Sequence, residues 1–203
     1  MLEPDALVVR AEIHIAGIQP PVTRTLELPM DLNLAQLHEV LQATFGWTDS
    51  HLHQFDVGGL TYGAPEFDQD GGTDRQTFEA SGVRLADFAI PYDAPLIIVY
   101  EYDFGDSWTH VIEMTATPRE AGVKYPRCIA GSRAGPPEDV GGTSGYTDFL
   151  DAWSDPLHEE HQHMRRWVGR KFDPERFDLD DNNKAIVRAI RRSKGSYRFR
   201  HDN

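Results

Sequence analysis

The first segments of the chain alternate hydrophobic and polar residues with the period of two that is typical of β-strands. Residues 7–15 (LVVRAEIHI) are rich in β-branched side chains, and residues 22–29 (VTRTLELP) alternate polar with apolar positions. Gly17, Pro20 and Pro21 interrupt the pattern between them. We therefore predict a β-hairpin at the start of the chain.

The hydrophobic period then lengthens to that of an α-helix. Asn33 or Asp31 provides an N-cap, and Gly46 provides the stop. The apolar positions that follow 3.6-residue spacing are Leu34, Leu37, Val40, Leu41 and Phe45. This pattern predicts one helix that packs an apolar face on a sheet.

Further strands follow the helix. Residues 51–59 (HLHQFDVGG) predict a third strand, and residues 83–88 a short turn or helix after a loop at 63–74. Residues 95–117 contain two apolar, aromatic segments around a tight turn, which predicts a second hairpin.

The pattern changes after Pro118. Residues 125–146 are rich in Gly and Pro, which favours a long loop without regular structure. Short helices are predicted after it, at 146–153, 156–169, 172–177 and 182–192. We predict one α+β domain over residues 1–203, with a mixed or antiparallel sheet of two hairpins plus a strand in ββα-β-ββ order and one packed helix. Its parts are the sheet and helix (1–117), the Gly/Pro loop (118–146) and a helical part (147–203).

The composition is that of a globular protein, with 39% hydrophobic and 26% charged residues. No run approaches the ~18 apolar residues that a membrane span needs, and the N-terminus lacks the basic and apolar regions of a secretory signal. Cys128 is the only cysteine, which fits a reducing compartment. We expect a cytoplasmic protein without a membrane partner.

The net charge of −13 is unevenly distributed. Residues 184–201 carry seven Lys or Arg and no Asp or Glu, whereas the body is acidic and repels nucleic acid. Phosphate contacts are therefore expected only from this tail. The alternative is a basic helix lying on its own acidic body.

Asp103-Phe104-Gly105 spells the magnesium-binding tripeptide of protein kinases, but the Gly-rich loop, the strand lysine and the catalytic loop of a kinase are missing. A tight turn explains the tripeptide better, with Gly105 supplying a positive φ. Asp106 then places a second carboxylate near Asp103. Two such carboxylates repel each other unless a cation, an arginine or backbone amides lie between them.

The alternation of side chains along a strand suggests ligands for such a cation. Asp106 and His110 are predicted on one face of their strand, and His51 and His53 on one face of theirs. With Asp103 they form a candidate site for zinc, manganese or iron. The alternative is that these histidines are hydrogen-bonded core or edge residues of an aromatic sheet.

Other candidate chemistry is weaker. His158, His161 and His163 miss the HExxH zinc pattern, which favours a solvated helix face. The loop at 131–145 carries no Walker lysine, and its Glu138 and Asp139 either cap a helix or complete a site.

Four strings, in this order and spacing, resemble the plasmid pRiA4b ORF-3-like family over residues 7–181. They are LHEVLQATFGWTDSHLHQF (37–55), YEYDFGDSWTH (100–110), CIAGSRAGPPEDVGGTSGY (128–146) and FDPERFD (172–178). The resemblance implies an α+β fold and an association of some members with plasmids or mobile elements, without a settled activity. Some relatives carry a transposon-resolvase label (TnpR), which the early β-hairpin and the acidic body do not support.

Three functions follow as hypotheses. The first is a non-catalytic module in which the sheet and the PPEDVGG loop form a pocket for a protein, peptide or small ligand. The second is a metal-dependent hydrolase with Zn or Mn at the His/Asp site and Glu138 or Asp139 as general base. The third is nucleic-acid association through residues 184–201. The sequence favours the first.

Overall fold

The computed structural model describes residues 6–65, 76–169 and 172–193. Within them the chain forms one sheet and four α-helices, which confirms the predicted α+β class. The strands are β1 Leu7–Ile15, β2 Thr23–Pro29, β3 His53–Val57, β4 Leu60–Gly63, β5 Thr77–Glu79, β6 Leu96–Tyr102, β7 Trp108–Pro118 and β8 Arg127–Ser132. The helices are α1 Leu34–Phe45, α2 Gly142–Ser154, α3 His161–Trp167 and α4 Leu179–Arg192.

The sheet has the order β5-β4-β3-β6-β7-β1-β2-β8. Its neighbours pair antiparallel except for β4 and β5, which are parallel. Both predicted hairpins are confirmed, as β1–β2 and β6–β7, and they lie side by side because β1 also pairs with β7. The sheet is therefore mixed, which agrees with the predicted mixed or antiparallel sheet, but it has eight strands where two hairpins and one strand were predicted.

Helix α1 has the ends that the sequence predicted. The side-chain oxygen of Asn33 caps it by accepting a hydrogen bond from the backbone amide of Gln36. In return, the side-chain oxygen of Gln36 accepts one from the backbone amide of Asn33. Gly46 ends it in the left-handed region. The two caps fix where the following residues, 47–53, leave the helix toward the candidate site.

One face of the sheet packs against α1 and forms the core. Alternate residues of the central strands point into it, and Ile13 is paired with Ile112 across β1 and β7. Tyr100, Tyr102 and Trp108 are fully or almost fully buried there. Aromatic burial therefore anchors the β6–β7 turn on the core.

The predicted loop over residues 125–146 contains regular structure at both ends. Strand β8 forms because it extends the sheet beside β2, where Leu26 pairs with Cys128. A Cβ on Gly131 would lie 2.5 Å from the ring of Phe177, so glycine lets residues 172–177 cover the strand. The helix predicted at 172–177 is absent, because these residues form a turn that packs on β8.

Helix α4 begins earlier than predicted, capped by Asp178. It lies on α1 and β8, with Ile186 and Ala189 buried and basic residues exposed. Residues 194–201 of the basic tail lie outside the described residues, so nucleic-acid association through the tail stays a prediction. No helix in the described ranges is both long and apolar enough to cross a bilayer.

Candidate functional site

The turn between β6 and β7 is built around the carboxylate of Asp103. Its Oδ1 accepts the backbone amides of Gly105 (3.0 Å) and Asp106 (3.4 Å). Asp103 and Ser107 adopt positive φ values of 58° and 53°, whereas Gly105 does not lie in the left-handed region. The prediction for Gly105 was therefore wrong, because aspartate tolerates this conformation when its side chain bonds the turn.

The segment before α2 docks on this turn. The amide of Gly141 donates to Oδ2 of Asp106 at 3.0 Å, and the indole Nε1 of Trp47 donates to the carbonyl of Pro136 at 2.9 Å. A backbone amide thus satisfies the Asp106 carboxylate, which lies in the turn and not on a face of β7. The DFGD and PPEDVGG strings form one contact in space.

Glu138 fastens the same segment to the core. Its Oε1 accepts from the amide and hydroxyl of Thr48 at 2.8 and 3.1 Å, and Tyr102 donates its hydroxyl to Oε1 and Oε2 at 3.1 and 3.2 Å. Burial and the charge of Glu138 raise the pKa of Tyr102 above its ordinary value. Both oxygens of the predicted general base are thus engaged in holding the loop.

His51, Asp103 and Asp139 come together at the rim of this contact, and we call them the His51 cluster. The imidazole Nε2 of His51 lies 2.9 Å from Oδ1 of Asp139 and 3.6 Å from Oδ2 of Asp103. One ligand atom from each residue lies within 4.8 Å of the others. The Asp103 side chain is 12% exposed and that of Asp139 69%, so the cluster opens to solvent on one side.

His53 belongs to a different group, with His38 and Asp49. The imidazole rings of His38 and His53 stack at 3.5 Å between centroids, and His38 Nε2 lies 2.9 Å from Asp49 Oδ1. Burial, reinforced by His38, lowers the pKa of His53 well below its ordinary value. The sequence prediction missed His38, although its position four residues after Leu34 places it on the apolar face of α1.

His110 is a core residue. Its Nδ1 lies 3.0 Å from the carbonyl of Trp108 and 3.2 Å from that of Tyr100, so it donates there. Its Nε2 is buried without a hydrogen-bond partner among the described residues, beside the rings of Phe45 and Trp47. Burial lowers its pKa to about 4. These contacts match the alternative interpretation, a histidine of the aromatic core.

The remaining candidates do not form a ligand group within the described ranges. His161 Nδ1 lies 2.8 Å from the carbonyl of Ala152, and His158 accepts the amide of Glu160. Cys128 is buried, and burial raises the pKa of its thiol, which opposes nucleophilic use.

The His51 cluster offers one imidazole nitrogen and two carboxylates, a donor set that suits zinc or manganese. Without a metal, His51 Nε2 donates a hydrogen bond to Oδ1 of Asp139. A cation bound there would relieve the carboxylate repulsion between Asp103 and Asp139 and tie the 139–142 segment to the turn.

Comparisons with known proteins place this geometry in context. The model of the plasmid pRiA4b ORF-3-like protein family matches residues 7–181. The uncharacterized protein y4hQ of Sinorhizobium fredii is 35% identical over 182 residues, which cover 89% of this chain and 91% of that protein. The crystal structure of MM3350, a protein of unknown function from Methanosarcina mazei Go1, superposes with a TM-score of 0.75 at 34% identity and covers 86% of this chain and 97% of its own.

Proposed function

This chain belongs to the plasmid pRiA4b ORF-3-like family, and we propose that it is a binding protein that holds a divalent cation in the His51 cluster. The observation that carries the proposal is the position of His51 Nε2, 2.9 Å from a carboxylate oxygen of Asp139 and 3.6 Å from one of Asp103. Three ligand atoms thus converge from three separate segments of the chain.

Asp103 is already oriented for this role. Two backbone amides of its own turn hold Oδ1, so the carboxylate cannot rotate freely and Oδ2 faces His51. Little side-chain entropy is lost when a prepositioned carboxylate binds a cation. Asp139 supplies the second carboxylate from the solvent side. A bound cation links the turn to the segment before α2.

A binding role is favoured over hydrolysis because Glu138 and Asp139, the two residues predicted as general base, are both engaged in other contacts. Both oxygens of Glu138 accept hydrogen bonds from Thr48 and Tyr102. Asp139 itself is a proposed ligand and is therefore not free to activate a metal-bound water. These contacts support the non-catalytic module over the metal-dependent hydrolase.

The proposal is tested by titrating the protein, purified without a metal-affinity tag, with Zn²⁺ and Mn²⁺ in a calorimeter. We expect one site per chain, and we expect Asp139→Asn to weaken it at least about tenfold because an anionic ligand is lost. Asn tolerates the positive φ of Asp139 (58°), so the loop geometry is kept.

Asp148→Asn is the control, because it also removes one negative charge but at an exposed position on α2 that is not part of the cluster. It should bind the metals as the wild-type protein does. Equal titrations of the wild-type protein and Asp139→Asn, or no heat of binding with either metal, would contradict a cation site in the His51 cluster.

A further inference from the structure

A pocket of about 460 Å³ lies behind the docked loop, away from the ligand atoms of the His51 cluster. Its walls come from the end of α1, residues 134–138, residues 172–178 and the first turns of α4. Apolar side chains such as Phe45, Phe172 and Phe177 line much of it. Its volume is in the range of small-molecule sites.

Arg24 of β2 is the most buried charged residue that lines the pocket, with 2% of its surface exposed. Its guanidinium carbon lies 5.0 Å from the ring centroid of Phe45 and 4.8 Å from that of Phe177. Nε donates to the carbonyl of Thr44, and Nη1 donates to those of Thr23 and Ser132. The side chain is thereby fixed while Nη2 takes part in none of these bonds.

No carboxylate forms an ion pair with Arg24 in the part of the chain that the structure describes. Arg133 is buried as well, with 6% of its surface exposed, but it donates from both Nε and Nη2 to Oε1 of Glu175. The fold therefore pairs the buried guanidinium of Arg133 with a carboxylate, whereas that of Arg24 contacts carbonyl oxygens and aromatic rings. Burial lowers the pKa of Arg24 to about 10.

A buried charge without a counter-ion is costly, and arginine presents a planar fork that matches a carboxylate. We propose that this pocket binds a small zwitterion with an apolar body, whose carboxylate contacts Arg24. The proposal concerns a site separate from the cation site and does not depend on it.

The charges at the pocket opening select a zwitterion over a polyanion. Four acidic residues line the pocket and only Arg176 accompanies Arg24 as a cation; the acids are Glu138, Asp173, Asp178 and Asp181. Asp181 is already paired with Arg176 at 3.2 Å and with Lys184 at 3.3 Å. The remaining negative charge repels a phosphate dianion and favours an ammonium group at the opening. The aromatic walls accept the apolar body between the two ends.

The test uses four probes in calorimetric titrations of the full chain: L-phenylalanine, L-phenylalaninamide, the dipeptide Gly-Phe and inorganic phosphate. We expect binding of L-phenylalanine or Gly-Phe, with the amide at least about tenfold weaker because it lacks the carboxylate. Preference between the free amino acid and the dipeptide identifies the source of the carboxylate. Failure of both carboxylate probes at millimolar concentration, or tighter binding of phosphate, overturns the proposal.

Two variants locate the binding. Arg24→Lys keeps the positive charge but loses the planar guanidinium, and it should lower the affinity for the carboxylate probe at least about tenfold. If that variant does not fold, Ala185→Phe on α4 leaves residue 24 unchanged but places a large side chain in the pocket, and it should abolish binding. Unchanged binding in Ala185→Phe places the probe elsewhere and contradicts the assignment. The Zn²⁺ titration of the same variant should match the wild type, which keeps this outcome distinct from failure of the cation site.

Discussion

The backbone amide of Gly141 donates a hydrogen bond to Oδ2 of Asp106 across 3.0 Å, and this bond joins the two most distinctive strings of the sequence. The sequence predicted that the carboxylates of Asp106 and Asp103 lie close together. In the structure, the Asp106 carboxylate accepts a hydrogen bond from the segment before α2. The next residue, Gly142, has a φ of 68° and approaches the carbonyl of Asp106. The turn and the segment therefore depend on two adjacent glycines for their contact.

Gly142→Ala should destabilise the protein by about 2 kcal/mol or more. A Cβ at this position would lie 2.5 Å from the carbonyl oxygen of Asp106, and the left-handed conformation adds about 1–2 kcal/mol for a residue with a side chain. Urea unfolding at neutral pH measures the loss.

Gly122→Ala is the matched control, because Gly122 also has a positive φ (79°) but a Cβ there meets no atom within 4 Å. This variant should lose only the about 1–2 kcal/mol of stability that the left-handed conformation costs a residue with a side chain. If both variants lose the same stability, the close approach to Asp106 is not what holds the segment.

The N-cap of α1 gives a second prediction. Asn33→Ala should destabilise the protein by about 1 kcal/mol, because the amide of Gln36 loses its acceptor. The same change removes the bond from Asn33 Nδ2 to the carbonyl of Ser81. Asn33→Asp keeps an acceptor for Gln36 and should lose less in thermal unfolding; a larger loss than in the alanine variant would contradict the capping role.

Local elements were predictable from the sequence because their signals are local. The Asn33 cap, the leucine spacing of α1 and the two hairpins lie within segments of about thirty residues or fewer. Strand β8 was missed because it is stabilised by its long-range pairing with β2 and by Phe177 covering Gly131. Pro and Gly content alone indicated a loop.

The candidate site was only partly predictable for a similar reason. The alternation rule applies within a strand, but β3 begins at His53 and β7 at Trp108, so His51 and Asp106 lie outside it. His51 therefore does not share a site with His53. It contacts Asp139 instead, which lies 88 positions further along the chain. Strand alternation had suggested His51 and the Gly/Pro loop had suggested Asp139, but no spacing in the sequence indicated their contact.

Tyr102→Phe should destabilise the protein by about 1–2 kcal/mol, since its hydroxyl accepts from the amide of Ser50 and donates to Glu138. Glu138 then keeps only its hydrogen bonds with Thr48, and amide hydrogen exchange in the loop at 136–139 should accelerate. Tyr62→Phe is the control, because the Tyr62 hydroxyl has no hydrogen bond in the described ranges. Equal losses in the two variants would show that the Glu138 contact adds no stability.

Buried histidine gives the protein a pH-dependent stability with a defined sign. The pKa of His110 is lowered from 6.5 to about 4, so the unfolded chain binds a proton at a higher pH than the folded chain does. Stability is fully present above about pH 6.5 and falls as the pH drops toward about 4. His53 contributes in the same direction. Phe45, Trp47 and Tyr100 surround His110, and the charge of His14 opposes its protonation further.

His110→Leu should therefore reduce the loss of stability between about pH 7 and about pH 5.5 by about 1 kcal/mol, although it lowers stability at pH 7 because Nδ1 no longer donates to Trp108 and Tyr100. Urea unfolding at the two pH values measures the difference. His163→Gln, at an exposed histidine of α3, should leave the wild-type difference in place. The variant removes one titrating group, a histidine that is buried and neutral in the folded protein and free to bind a proton in the unfolded chain. If His110→Leu loses as much stability as the wild type over this interval, the group responsible for the loss is not His110.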